Sequence, residues 1–482
     1  MNTFQRLGSK YRTLSKVQIN QVHEYTLRLM AQLGCRVECE EALDLLGEAG
    51  CDVRDPGRVK IPRRLVLEAI EAAPEKIDVF NRDGVLAMTF EEDACYYGTG
   101  SDCPTTIDLF SGERRPSTKK DIADLARFCD ALPNMDFFMS MGIANDTPPG
   151  GNFVHQYAAM LQNTKKPIIV TAHGPNDMSA IIDMATTVYG GYAKVTSKPP
   201  MILYSEPLSP FIHTGMGVQK CLLCCEYEIP FIYISAALMG ASAPATLEGA
   251  LVQTVAEALA GLVIFQRKRS GAKFIFGGDT SIMDMRTGIF CYGAPELNIL
   301  NAALADMAHY YKLPFFCLAG ATDAKVLDAQ AGFEYAMSIY VATLNGCNII
   351  HDLGYLESGL TSSFESILFG DEVVSNIKRL LRPIKLDEKS VPFQLMDKVG
   401  PGGTFLTQDH TAETFKKTFW IPRFFDRNVF ETWKDAGSKD IRALLNEKAR
   451  EIFNGLTPDE LPSDVNISIE KILAQHQPDV SV

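Results

Sequence analysis

The chain has 482 residues, of which 46 % are apolar, 22 % charged and 9 % aromatic, and its formal net charge is −13. That balance excludes a disordered, collagen-like or disulfide-scaffold chain, and the acidic excess speaks against a nucleic-acid binder, which wants a basic patch. The length fits three average domains or a single α/β barrel of about 250 residues or more with extensions.

The N-terminus, MNTFQRLGSKYRTL, has no apolar stretch and no small-residue cleavage site, so the expectation is a cytoplasmic protein without a signal peptide. Its twelve cysteines are then expected to be reduced, with none in a disulfide and none on a metal. No uncharged apolar run reaches the roughly 18 residues of a bilayer span. The nearest, PFIYISAALMGASAPA, is too short and is broken by Ser and Pro.

Residues 1–92 read as a helical accessory region. Lys16 to Leu33 and Cys39 to Ala49 have helical periodicity and end at Gly34 and Gly50, and a third helix runs from Pro62 to Ala73. These helices are expected to close one end of the larger unit at 93–382. Within that unit one pattern recurs: a short apolar run, a polar loop, then an amphipathic helix. The runs are ACYYGTG (94–100), DFFMSMGIAN (136–145), PIIVTAHG (167–174), PMILYSEP (200–207), PFIYISAA (230–237), KFIFGGD (273–279), PFFCLAG (314–320) and NIIHDLG (348–354). Helices are legible over Thr118–Ala131, Thr246–Gln266, Pro295–Tyr311 and Ser362–Leu381.

Continuous apolar strands are buried on both faces, and helical crossovers make them parallel. Eight such units predict an α/β TIM (β/α)8 barrel with an N-terminal helical extension and a C-terminal accessory segment. An open doubly wound sheet is the alternative, weakened by the lack of a G-x-G-x-x-G turn. Residues 383–482 form the accessory segment, with GPGGTFLTQDHT at 400–411 and late helices near 438–453 and 466–475.

A barrel carries its active site at the carboxyl ends of the strands. The polar residues there are Asp102, Asn145, His173, Glu206, Gly278 and Asp279, Asp323, and His351 with Asp352. His351 interrupts an apolar run, which marks it as the most specific; His213 reads as a helix-start residue. No His-x-His pair, no G-x-S-x-G elbow and no P-loop is present, and Cys221, Cys224 and Cys225 read as helix packing, so no metal is expected. Aromatic residues gather at the same ends: Tyr96, Tyr97, Phe211, Tyr355 and Phe364. Aromatic faces beside Glu206 and Asp102 suit a methyl-rich cation, held by cation–π attraction.

Two segments go beyond pattern. Gly400 to Thr411, with Trp420-Ile-Pro, Asp426-Arg427 and Trp433 after it, resembles the C-terminal signature of the trimethylamine methyltransferase family. Thr322 to Glu334, Gly112 to Thr118, Leu33 to Val37 and Ala49 to Val53 also resemble that family. The resemblance implies a TIM barrel that moves a methyl group from an amine to the cobalt of a separate corrinoid protein. It implies a corrinoid (cobalamin) as the cofactor, carried by that partner, because this chain has no Asp-x-His-x-x-Gly motif. Trimethylamine enzymes of the family carry pyrrolysine in the segment matching 322–334. Here Lys325, Val326 and Leu327 stand at its centre. The chain therefore resembles the non-pyrrolysine members, which the family associates with quaternary amines: glycine betaine first, with proline betaine, carnitine or γ-butyrobetaine as alternatives.

On this reading His351, Phe364, Tyr97, Tyr355, Glu206 and Asp102 contact substrate. His351 holds a substrate carboxylate, and Tyr97, Tyr355 and Phe364 cage the ammonium. Asn145, His173, Gly278, Asp279 and Asp323 are corrinoid-facing candidates. The competing classes are a barrel that binds a quaternary amine without catalysis and a metal-dependent hydrolase. The non-barrel termini offer surface for a homo-oligomer.

Overall fold

The computed structural model describes residues 11–479 apart from 385 and 458. Eight parallel segments form the barrel: β1 (Tyr96–Tyr97), β2 (137–138), β3 (Ile168–Val170), β4 (Met201–Ser205), β5 (Phe231–Tyr233), β6 (Phe274–Gly277), β7 (Phe315–Leu318) and β8 (Ile349–His351). Seven of them make one continuous sheet running from β3 through β4, β5, β6, β7 and β8 to β1. The second predicted run, β2, enters through the parallel bridges Gly98↔Phe137 and Phe138↔Ile168 and joins the two edges. The ring is closed, which decides against the open doubly wound sheet.

A helix comes after each strand: α1 (Lys119–Asp130), α2 (Asn152–Asn163), α3 (Pro175–Tyr189), α4 (Gly215–Tyr227), α5 (Leu247–Lys268), α6 (Pro295–Tyr311), α7 (Ala329–Asn345) and α8 (Phe364–Leu380). The starts of several are written locally. Thr118, Thr246, Asp328 and Ser363 each accept a first-turn backbone N–H through the side chain, and Pro175 and Pro295 open α3 and α6, where a missing N–H is harmless. α5 has the length and hydropathy to cross a membrane, yet it is buried as a core helix.

Side chains alternate across each strand. Ile169, Ile202, Ile232, Ile275, Phe316 and Ile349 fill the lumen with Tyr96, Phe137, Met139 and Ile234. Their outward neighbours, such as Leu203, Tyr233 and Phe276, pack under the helices.

The bottom of the barrel is sealed differently from the expectation. The N-terminal helices Lys16–Gln32, Glu40–Glu48 and Arg63–Ala72 exist, but they lie against α5 on the flank. An antiparallel hairpin, Ile77–Phe80 with Leu86–Phe90, plugs the amino ends of the strands. Its Ile77, Val79, Met88 and Phe90 join the lumen core, and the Thr89 N–H donates to the Tyr96 hydroxyl at 3.0 Å. The period-two alternation of Ile77 and Val79 is the strand signal that a purely helical reading of residues 1–92 misses.

The C-terminal helices Ile441–Gly455 and Ser463–Gln475 pack on the barrel. The first meets α8 through Asn446, which donates to Glu365 at 2.5 Å, and the second meets α2 through Gln162 and Asn466 at 3.0 Å. Between them and α8 run three short helices, Phe393–Val399, Asp409–Thr418 and Phe430–Asp435, none with a buried residue.

Candidate active site

The inward phase of each strand continues into its loop. From Ile202 it passes through Tyr204 to Glu206, from Ile275 through Gly277 to Asp279, and from Ile349 to His351. These side chains meet over the lumen core. His351 is buried, stacked on the Phe316 ring at 3.9 Å between centroids and an interplanar angle of 16°. Its Nδ1 lies 2.7 Å from Asp352 Oδ1 and its Nε2 lies 3.4 Å from Asp279 Oδ1. Burial alone would favour the neutral imidazole. Asp352 and Asp279 beside it outweigh burial and lift His351 to about 10, so the ring keeps its second proton at neutral pH.

Above this floor stand Glu206, Asp102, Tyr292 and Tyr355. Glu206 keeps exposed surface inside the mouth and accepts a hydrogen bond from the Tyr204 hydroxyl at 3.1 Å. Loss of water around it raises its carboxyl above the usual range against the Tyr204 hydrogen bond; the charges of Asp279 and Asp102 add to the rise and that of Lys220 opposes it. Asp102 is half-buried and accepts from Gln156 at 3.0 Å and from Ser140 and Thr171 at 3.4 Å each. Desolvation raises it as well, against those hydrogen bonds. Tyr355 and Tyr292 stand edge to face at 6.2 Å, and the Tyr355 hydroxyl reaches the Ser101 carbonyl. The charges of Asp352 and Asp279 bear on Tyr292. Asp102 and Asp352 both take left-handed backbone conformations, at φ 61° and 75°, which short acidic side chains tolerate. Gly100 leaves the room these groups need: a Cβ there would run into Asp352 Oδ1 and the Tyr355 ring.

The structure thus brings together His351, Tyr355, Glu206, Asp102 and Asp279. It places two other expected contacts elsewhere. Tyr97 is the outward member of its pair: its hydroxyl meets Thr343 of α7 at 3.0 Å and Lys378 of α8 lies over its ring. Phe364 opens α8 and is wedged against Phe128 of α1 and Phe453 of the C-terminal region, at 5.1 and 5.8 Å. Neither faces the mouth. Tyr204, Tyr292 and Phe316 take the aromatic positions instead. Counting back by two from Glu206 finds Tyr204 in the sequence. Tyr292 comes from the long loop after β6 and carries no such signal.

The remaining candidates are struts or rim residues. Asn145 donates to the Ser117 carbonyl at 3.0 Å. Gly278 faces outward, where a Cβ would meet Thr254 and Leu304. Asp323 accepts the backbone N–H groups of Tyr292 and Gly293 at 2.8 and 2.9 Å and so holds the β6 loop, Tyr292 included, over the mouth. His173 packs its ring on Phe153 at 4.4 Å on the rim; nearby, the C-terminal Asp479 caps the start of α3. His213 precedes α4 as expected, but it is buried against Tyr233, 2.9 Å from its hydroxyl, away from the mouth. Among the described residues no group of His, Cys, Asp and Glu has the arrangement to hold a metal ion.

The segment 322–334 lies beside the site. Ala321 bridges to Tyr355, Glu334 accepts the Asp323 N–H at 2.9 Å, and Lys325 Nζ donates to the Asp323 carbonyl at 2.7 Å. The 400–411 signature is exposed and bonds locally, with Thr411 donating to the Phe405 carbonyl at 2.6 Å. The turn after it is fastened to α8: Trp420 donates to Ser375 at 3.0 Å and Arg423 to Glu372 at 3.0 Å.

Comparison with known proteins agrees with this architecture. The chain is similar to the crystal structure of monomethylamine methyltransferase MtmB from Methanosarcina barkeri, with a TM-score of 0.50 over 92 % of this chain and 89 % of that one, at 11 % identity. That likeness shows the fold alone. In sequence, it is 29 % identical to trimethylamine methyltransferase MttB of Desulfitobacterium hafniense, across 97 % of this chain and 94 % of the relative. It is 27 % identical to a glycine betaine methyltransferase of Desulfitobacterium hafniense strain Y51 (98 % and 99 %), and 30 % identical to MttB of Methanosarcina barkeri strain Fusaro (95 % and 93 %). The trimethylamine methyltransferase (MTTB) family profile matches residues 1–480, and with that coverage over a closed barrel the chain belongs to the trimethylamine methyltransferase family.

Proposed function

We propose that this protein is a cytoplasmic enzyme that takes a methyl group from a small quaternary amine and delivers it to the Co(I) of a separate corrinoid protein. The observation that carries the reading is the mouth itself: Glu206 and Asp102 with Tyr204, Tyr292 and Tyr355 around an opening floored by Asp279, His351 and Asp352. Carboxylates and aromatic faces attract a methylated ammonium without needing its N–H. Such a cation already carries the charge that makes its amine a leaving group. The C–N bond breaks with its electron pair going to nitrogen, so the tertiary amine departs neutral and no general acid is called for. The corrinoid supplies the electron pair for the new bond to the methyl carbon. This chain's residues orient one N-methyl outward and hold the rest, which is a proximity contribution.

Glycine betaine, giving dimethylglycine, is the substrate the family resemblance puts first. Its ammonium suits the mouth; its carboxylate needs a donor, and His351 already gives both ring nitrogens to Asp352 and Asp279.

The test is methyl transfer to reduced corrinoid protein, monitored by absorbance, across glycine betaine, proline betaine, carnitine, γ-butyrobetaine, choline, tetramethylammonium and trimethylamine. Transfer from one or more quaternary amines is expected. Transfer from trimethylamine alone would overturn the proposal, and tight binding of a quaternary amine with no transfer would favour a non-catalytic barrel.

A further inference from the structure

We infer that the mouth selects a quaternary amine whose remaining arm carries no negative charge, such as an alcohol or an alkyl group; this deepens the function proposed above and rests on it. A carboxylate arm is recognised by an unengaged guanidinium, ammonium or imidazolium, or by converging N–H donors. Among the described residues, the cationic side chains nearest this site are turned to groups of the protein itself, and the rim imidazole of His173 packs on Phe153. His351 lies beneath the walls, buried, with a carboxylate at 2.7 Å on one nitrogen and at 3.4 Å on the other. Lys220 of α4 is the other buried cation nearby; one of its three N–H groups goes to the Ala172 carbonyl at 2.7 Å, and its charge is shared with Glu206 and Asp102, which bear on it. On the loops around the barrel top, Arg115 is paired with Asp108 and Asp121, Arg114 with Glu357 and Arg286 with Asp284. Lys325 is exposed and turned back onto its own segment.

Two of the groups that face the opening, Glu206 and Asp102, are acceptors of the opposite preference. Among the described residues Glu206 accepts one hydrogen bond, from Tyr204, and it keeps accessible surface. Asp102 is half-buried beside it. A substrate carboxylate here would lie against Glu206 and Asp102 in a partly dehydrated space, where like charges repel far more strongly than in bulk water. A hydroxyl arm can instead donate to either carboxylate, and a methyl arm asks nothing of them. The chemistry of transfer is the same for all: the C–N bond breaks toward nitrogen and a neutral tertiary amine leaves. The arm changes binding and not the leaving group.

The experiment is calorimetric titration of the full-length protein with choline, tetramethylammonium and glycine betaine at one ionic strength, beside methyl transfer from the same three. Choline or tetramethylammonium is expected to bind at least tenfold more tightly than glycine betaine. Glu206→Gln, which keeps the shape and removes the charge, is expected to shrink that gap to threefold or less. Glycine betaine binding as tightly as the uncharged-arm compounds, or more tightly, would overturn the inference while leaving the quaternary-amine reading intact, provided methyl transfer is seen. If none of the three binds or donates a methyl, both fall. The wild-type ranking decides the matter even if the variant fails to fold.

Discussion

At the scale of single residues the site turns on His351. Its Nδ1 faces Asp352 at 2.7 Å and its Nε2 faces Asp279 at 3.4 Å, and its folded-state value of about 10 lies well above the 6.5 of an unperturbed imidazole. A group with a raised folded pKa stabilises the fold fully below its unfolded value and loses that contribution as pH rises through the folded one. The ion-pair contribution of His351 is therefore complete below about 6.5 and fades toward about 10. Thermal unfolding of His351→Gln is expected at a lower temperature than wild type at pH 7, with a flatter decline between pH 7 and 10. Equal slopes for the two proteins would show that the imidazole carries no extra proton. His351 was legible in the sequence because a polar residue inside an apolar strand is conspicuous. Which of Tyr96 and Tyr97 faces inward was not. Both strand faces are apolar, so polarity gives no phase, and only the neighbours of β1 fix Tyr96 in the lumen and Tyr97 under the helices.

At the scale of elements, helix starts were readable because capping is local. A threonine, serine or aspartate ahead of an amphipathic run satisfies free N–H groups within one turn, whatever the rest of the chain does. Contacts made by such an element across the fold are another matter. Phe364 sits one residue after the Ser363 cap, and its ring is clamped between Phe128 and Phe453, both far from it along the chain. Phe364→Ala is expected to lower stability by about 3–5 kcal/mol, the usual range for a buried phenylalanine. Affinity for a quaternary amine should be unchanged in the protein that stays folded. Denaturant melts and calorimetry separate the two effects, and a loss of affinity without a loss of stability would return Phe364 to the site.

At the scale of the whole molecule, the barrel is a closed ring with its two ends doing different work. The hairpin Ile77–Phe90 excludes water from the amino end, and the polar mouth occupies the carboxyl end. Phe90 is fully buried among the lumen side chains. Phe90→Ala is expected to destabilise the protein by about 3–5 kcal/mol in guanidinium unfolding. A loss below about 1 kcal/mol would show that the plug lies outside the cooperative core.

The sequence by itself determined the eight strand–helix units, the acidic character of the strand ends and the family, because apolar runs, caps and motifs are written in contiguous residues. Tertiary structure decided what the mouth contains. Ring closure sets Glu206, Asp279 and His351, from loops and strands far apart in the chain, over one lumen, and strand phase selects Tyr204 over Tyr97. It also brings Asp279 and Asp352 onto the two nitrogens of His351, which spends on an internal ion pair the charge that the sequence alone had offered to the substrate.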